Sequence, residues 1–152
     1  MKIARLALAA LVMAAACARQ AVPADLDPAN TACQYCRMEA SDVHFAAQIA
    51  APGAEAVFFD DIGCLRDYLK QAVVPLPAGA VAFVADHRTG AWVRATAAVF
   101  TKPAHLGTPM GGGIIAHMSD DSRRQDPDAV GGTPVAVREI FGASGPPNGG
   151  RP

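Results

Sequence analysis

Aromatic side chains are scarce in this chain: one Trp, two Tyr and six Phe in 152 residues. A core must therefore close around few large groups, Phe45, Phe58, Phe59, Phe83, Trp92 and Phe100 among them, with alanine supplying much of the remaining apolar content. An excess of charge of either sign is missing too. Thirteen Lys and Arg stand against fourteen Asp and Glu, with no basic run, which argues against a nucleic-acid partner. Beyond the first residues no apolar segment is long enough to span a membrane. A second cysteine pair, as a zinc knuckle needs, is absent. No carboxylate pair suits acid–base catalysis except Asp60-Asp61, and those read as helix caps.

What is present begins with an export pattern. Lys2 and Arg5 precede an apolar run from Leu6 to Ala16, about eleven residues, which is the length of a signal h-region rather than of a membrane span. Ala14-Ala15-Ala16-Cys17 satisfies the small-x-small rule for ordinary cleavage and is also similar to a bacterial lipoprotein box. Lipidation of Cys17 is the preferred reading, with the protein held to a membrane by its acyl chains. Residues 1–16 are then a signal peptide and 17–32 a flexible, proline-bearing tether. With Cys17 assigned to lipid, three thiols remain: Cys33, Cys36 and Cys64. An odd number in an oxidising compartment leaves one unpaired in a monomer, and a bound metal would account for it.

The mature domain reads as alternating hairpins and helices. Residues 44–51 and 55–59 are extended around Pro52-Gly53, and a helix runs from about Ile62 to Ala72 behind Asp60 or Asp61. Strands follow at 80–86 and 91–95, then a loop over 101–113, a short apolar stretch at 114–116 and a weak helix near Ser119. Residues 133–140 are expected as a final strand, and 142–152 as a disordered tail. The fold class is α+β with a pseudo-repeat, in one small domain over 33–141.

The chemistry concentrates in Cys33-Gln34-Tyr35-Cys36-Arg37-Met38. A CxxC suits redox exchange, half a zinc knuckle or metal transfer. Redox pairs sit at a helix N-terminus after a strand, and none is expected here. Met38 shifts the balance: in extended chain it projects to the same side as Cys36, and a thioether suits Cu(I) far better than Zn²⁺. Met110, in Thr108-Pro109-Met110-Gly111-Gly112-Gly113, stands on a loop whose glycines give it little to pack against, so it reads as a ligand. His117 is a further candidate. Cys64 reads as a buried inert thiol, His87 as a turn residue and Trp92 as core.

The Cys17 box, Cys33-x-x-Cys36-x-Met38, Phe59-Asp60-Asp61-Ile62-Gly63-Cys64-Leu65, Val84-Ala85-Asp86 with Trp92, and Thr108-Pro109-Met110-Gly111-x-Gly113 together resemble the NosL family. That resemblance implies a periplasm-facing, lipid-anchored copper chaperone that is monomeric and not an enzyme. It also implies two related ββαβ units and one Cu(I) per chain, delivered to nitrous oxide reductase or its membrane assembly complex. The family's ligands map to Cys36, Met38 and Met110, with Cys33 and His117 as candidates to join them. Arg37 stands where the family has glycine, and His117 where it commonly has an aromatic. The alternative is a membrane-tethered thiol-disulfide oxidoreductase using Cys33 and Cys36.

Overall fold

A hairpin seeds the first sheet. Strand β1 (Ala47–Ala50) pairs antiparallel with β2 (Val57–Phe59), placing Ala47 opposite Phe59 and Ile49 opposite Val57. Gly53 in the connection has φ 73°, a left-handed conformation that glycine adopts without a Cβ penalty. Helix α1 (Ile62–Gln71) follows directly, capped by extended Asp61, whose side chain accepts from Cys64 N–H at 2.8 Å. The chain then returns as β3 (Val81–Ala85) along the free edge of β1, and β4 (Trp92–Arg94) completes the order β2-β1-β3-β4. The structure, a computed structural model, describes residues 20–150. The expected signal segment and the lipidation site Cys17 lie outside the described residues.

The second sheet has the order β6-β5-β7, from β5 (Val99–Lys102), β6 (Ile115–His117) and β7 (Thr133–Val135), all antiparallel. Helix α2 (Asp120–Gln125) is capped by Ser119, and α3 (Val137–Phe141) ends the second half. The two sheets meet where Asp86 bridges Ala116 in parallel and His87 N–H donates to Ala116 at 2.8 Å. Between them lies the main core, including Ile49, Phe59, Ile62, Leu65, Val84, Phe100, Ile114 and Ile140. A smaller cluster of Ala21, Ala50, Val81 and Phe83, with Trp92 packed against it, covers the other face of the first sheet. The molecule is thus a small mixed α/β domain with two antiparallel sheets and three helices among the described residues.

Four sequence expectations need correction. Residues 101–113 were expected to be loop, yet Thr101 and Lys102 belong to β5, the central strand of its sheet; Thr101 is polar but wholly buried because both strand edges are paired. The strand expected over 133–140 divides at Ala136, and Val137, Ile140 and Phe141 meet the core at helical spacing, which a run this short cannot distinguish from a strand by pattern. The described part of the expected tether is docked. Gln48, buried in β1, exchanges hydrogen bonds with the backbone of Ala24 at 2.8 and 2.9 Å, satisfying an amide that would otherwise be stranded. The expected disordered tail instead runs beside β3: Ala82 N–H donates to Pro147 at 2.8 Å and Gly149 N–H to Ala80 at 2.7 Å.

Candidate metal centre

The segment carrying the sulfur motif is a closed loop. Ala32 bridges Glu39, Cys33 N–H donates to Met38 C=O at 2.7 Å, and Arg37 N–H donates to Cys33 C=O at 3.0 Å. Gln34 N–H fastens the loop to Phe58 C=O at 2.7 Å. Closing so few residues requires one left-handed turn, and Arg37 supplies it at φ 68°, the one non-glycine with positive φ among the described residues. For a side chain with a Cβ that conformation costs about 1 kcal/mol. Backbone strain of this kind collects at functional loops.

Inside the loop, the sulfurs of Cys33, Cys36 and Cys64 and one Asp60 oxygen lie within 4.8 Å of one another. Cys33, Cys64 and Asp60 are buried and Cys36 is half-buried, its thiol 3.6 Å from Asp60 Oδ2. All three thiols are free. Burial raises the Cys36 thiol above its ordinary value, opposed by a hydrogen bond from the Met38 backbone and reinforced by Cys33 and Asp60. Cys64 is raised further, first by burial and then by Asp60. Raised in this way, both are thiols rather than thiolates at neutral pH, and an ion that binds them must displace protons. Asp60 Oδ1 is buried beside them without a hydrogen-bond partner. This cluster can hold a metal ion.

A third segment is tied to the cluster by the neighbouring residue. Asp61 Oδ1 caps α1, while Oδ2 accepts from Thr108 Oγ1 at 2.9 Å, Met110 N–H at 3.2 Å and Gly112 N–H at 3.1 Å. The glycine loop packs backbone to backbone on the helix start: a Cβ on Gly63 would stand 2.8 Å from Gly112 Cα. Asp60 therefore touches the Cys36 thiol while the next residue holds the Met110 loop. Both thioether residues reach the surface, Met38 at 58% and Met110 at 43% relative exposure.

His117 is placed elsewhere. It is fully buried on β6, with Nε2 2.8 Å from Asp126 Oδ2, in a separate group with His87. Comparison with protein-family models, with curated proteins and with solved structures finds no match to this chain. The site accordingly stands on its own geometry.

Sequence reasoning missed two members of the cluster. Cys64 is buried, as expected, but lies among the other sulfurs rather than alone. Asp60 and Asp61 were both read as caps; one carboxylate suffices for a helix start, which leaves Asp60 free to face the thiols. That surplus was the available signal. His87, read as a turn residue, is buried and paired with Asp126.

Proposed function

We propose that this protein binds one Cu(I) at Cys36 with the thioethers of Met38 and Met110, and passes the ion to an acceptor protein. The observation that carries the reading is the convergence of the Cys33–Met38 loop, the start of α1 and the Met110 loop on the Asp60-Asp61 pair. Cys36 is the one half-exposed thiol of the cluster; Cys33 and Cys64 are buried, while Met38 and Met110 are exposed. Soft donors suit Cu(I), and neutral thioethers can be exchanged one at a time as an acceptor approaches. Cys33 and Cys64 form a second layer of sulfur behind Cys36. The Cys36 thiol donates to Asp60 Oδ2 at 3.6 Å, and a bound Cu(I) takes the place of that thiol proton.

The resemblance to the NosL family extends the proposal: a lipoprotein anchored through Cys17 in the bacterial envelope, facing the periplasm, delivering copper during assembly of nitrous oxide reductase. The topology is compatible with that family's repeat. In each half a hairpin is followed by a helix and by a strand that pairs with the free edge of the hairpin's first strand, giving β2-β1-β3 and β6-β5-β7. We read these as two related ββαβ units. Against the oxidoreductase alternative, the CxxC sits in a closed loop, not at a helix N-terminus, and Cys36 has a raised rather than lowered pKa.

The test is a Cu(I) competition titration of the reduced protein against a chromophoric chelator. One Cu(I) per chain is expected, lost in Cys36→Ser and weakened at least about tenfold, roughly 1.4 kcal/mol, in Met38→Ala and in Met110→Ala. Unchanged affinity in both methionine variants would overturn the ligand set. A disulfide-reductase activity abolished by Cys33→Ser would favour the enzyme.

A further inference from the structure

Away from the sulfurs, two imidazoles converge on one carboxylate. His87 follows β3, His117 ends β6 and Asp126 caps the end of α2. His87 Nδ1 and His117 Nε2 lie 2.7 and 2.8 Å from the same atom, Asp126 Oδ2. All three residues are buried, at 8%, 0% and 3% exposure. Asp126 Oδ1 is already used, accepting from Asp128 N–H at 3.0 Å. Among the described residues no Lys or Arg pairs with Asp126; its ion-pair partners are the two histidines. The buried carboxylate therefore faces two imidazole nitrogens and no permanently charged cation among the described residues, an arrangement of donors that suits a metal ion.

We infer that His87, His117 and Asp126 form a second metal site, for a divalent ion of the Zn²⁺ type, independent of the copper-handling sulfurs. Two nitrogens and one oxygen suit a borderline ion and not Cu(I), and three protein ligands leave a position for water. Metal–ligand bonds of about 2.0–2.1 Å need donors somewhat more than 3 Å apart, so the present spacings open by about half an ångström on binding. The rings can present lone pairs to the ion. In the tautomer that carries its proton on the unpartnered Nδ1, His117 presents an Nε2 lone pair, and a bound ion then takes the place of the Nε2–H···Asp126 Oδ2 hydrogen bond. Filled, the site ties β3, β6 and the end of α2 together at the strand that leaves the Met110 loop.

The experiment follows the histidine ring nitrogens of the reduced protein by long-range ¹H–¹⁵N correlation while Zn²⁺ alone is added. Saturable shifts of His87 Nδ1 and His117 Nε2 at one equivalent, in the wild type and in Cys36→Ser, are expected. Asp126→Asn should weaken that binding at least tenfold. Ring nitrogens that stay in place under excess Zn²⁺, or Zn²⁺ captured solely by the thiols, would overturn the assignment. Neither result bears on Cu(I) binding at Cys36, which is read by the separate competition titration.

Discussion

The carboxylate of Asp61 accepts a hydrogen bond from the backbone N–H of Met110, 49 residues further along the chain, at 3.2 Å. The same oxygen takes Thr108 Oγ1 and Gly112 N–H, and its twin caps α1. One buried side chain thus holds the helix that carries Cys64 and the loop that carries Met110. Asp61→Ala removes the cap and strands three further donors, so a loss of about 3 kcal/mol in urea unfolding is expected. Cu(I) affinity should fall in Asp61→Asn as well, because an amide cannot accept all these bonds. Wild-type stability and affinity in both variants would remove Asp61 from this role.

Gly112 and Gly107 offer a matched pair on the same loop. A Cβ on Gly112 would meet Asp61 Oδ2 and Gly63 Cα at 2.9 Å, and the second contact is backbone that cannot step aside. Gly112→Ala should cost about 1–3 kcal/mol and weaken Cu(I) by displacing Met110. Gly107 has nothing within 4 Å of a built Cβ, and Gly107→Ala should be neutral or slightly stabilising. Thermal unfolding and copper titration of the two variants side by side check this; equal behaviour would contradict the close approach.

Thiol chemistry should separate the cysteines. Half-exposed Cys36 is expected to react with a small alkylating reagent before buried Cys33 and Cys64, and bound Cu(I) should protect it. Because its thiol is raised above the ordinary 9.0, mainly by burial, the proposed Cu(I) binding should release a proton at neutral pH. Apparent affinity should rise about tenfold per pH unit for each proton released. In the apo protein the sign reverses for stability. The unfolded chain ionises first, so the contribution of this thiol is complete below pH 9.0 and is lost as pH rises towards the folded value. Apo stability that holds steady well above pH 9 would contradict the raised thiol.

Truncation after Ser144 tests the docked tail. It removes the Pro147 and Gly149 partners of Ala82 and Ala80 and uncovers the start of β3. A loss of about 1–2 kcal/mol is expected, with faster hydrogen exchange at Ala82 N–H. An unchanged exchange rate there would show that the tail does not pair.

The sequence by itself determined the elements whose signals are local. The helix over Ile62–Gln71 follows from the carboxylates before it and its apolar stripe, and the 47–59 hairpin from Pro52-Gly53 between apolar runs. The concentration of soft sulfur at Cys33, Cys36 and Met38 was equally legible, because residue type alone carries that chemistry. Tertiary structure decided what depends on pairing across the chain. Thirty-odd residues of sequence separate Cys33 from Cys64, and only the packing of α1 against the Cys33–Met38 loop brings them within bonding range of one ion. It likewise divided the labour of the Asp60-Asp61 doublet, buried Thr101 in a central strand, and turned His117 away from the sulfurs towards Asp126. Local propensity sees a residue's neighbours in sequence, whereas burial and ligand geometry are set by which distant segments share the core.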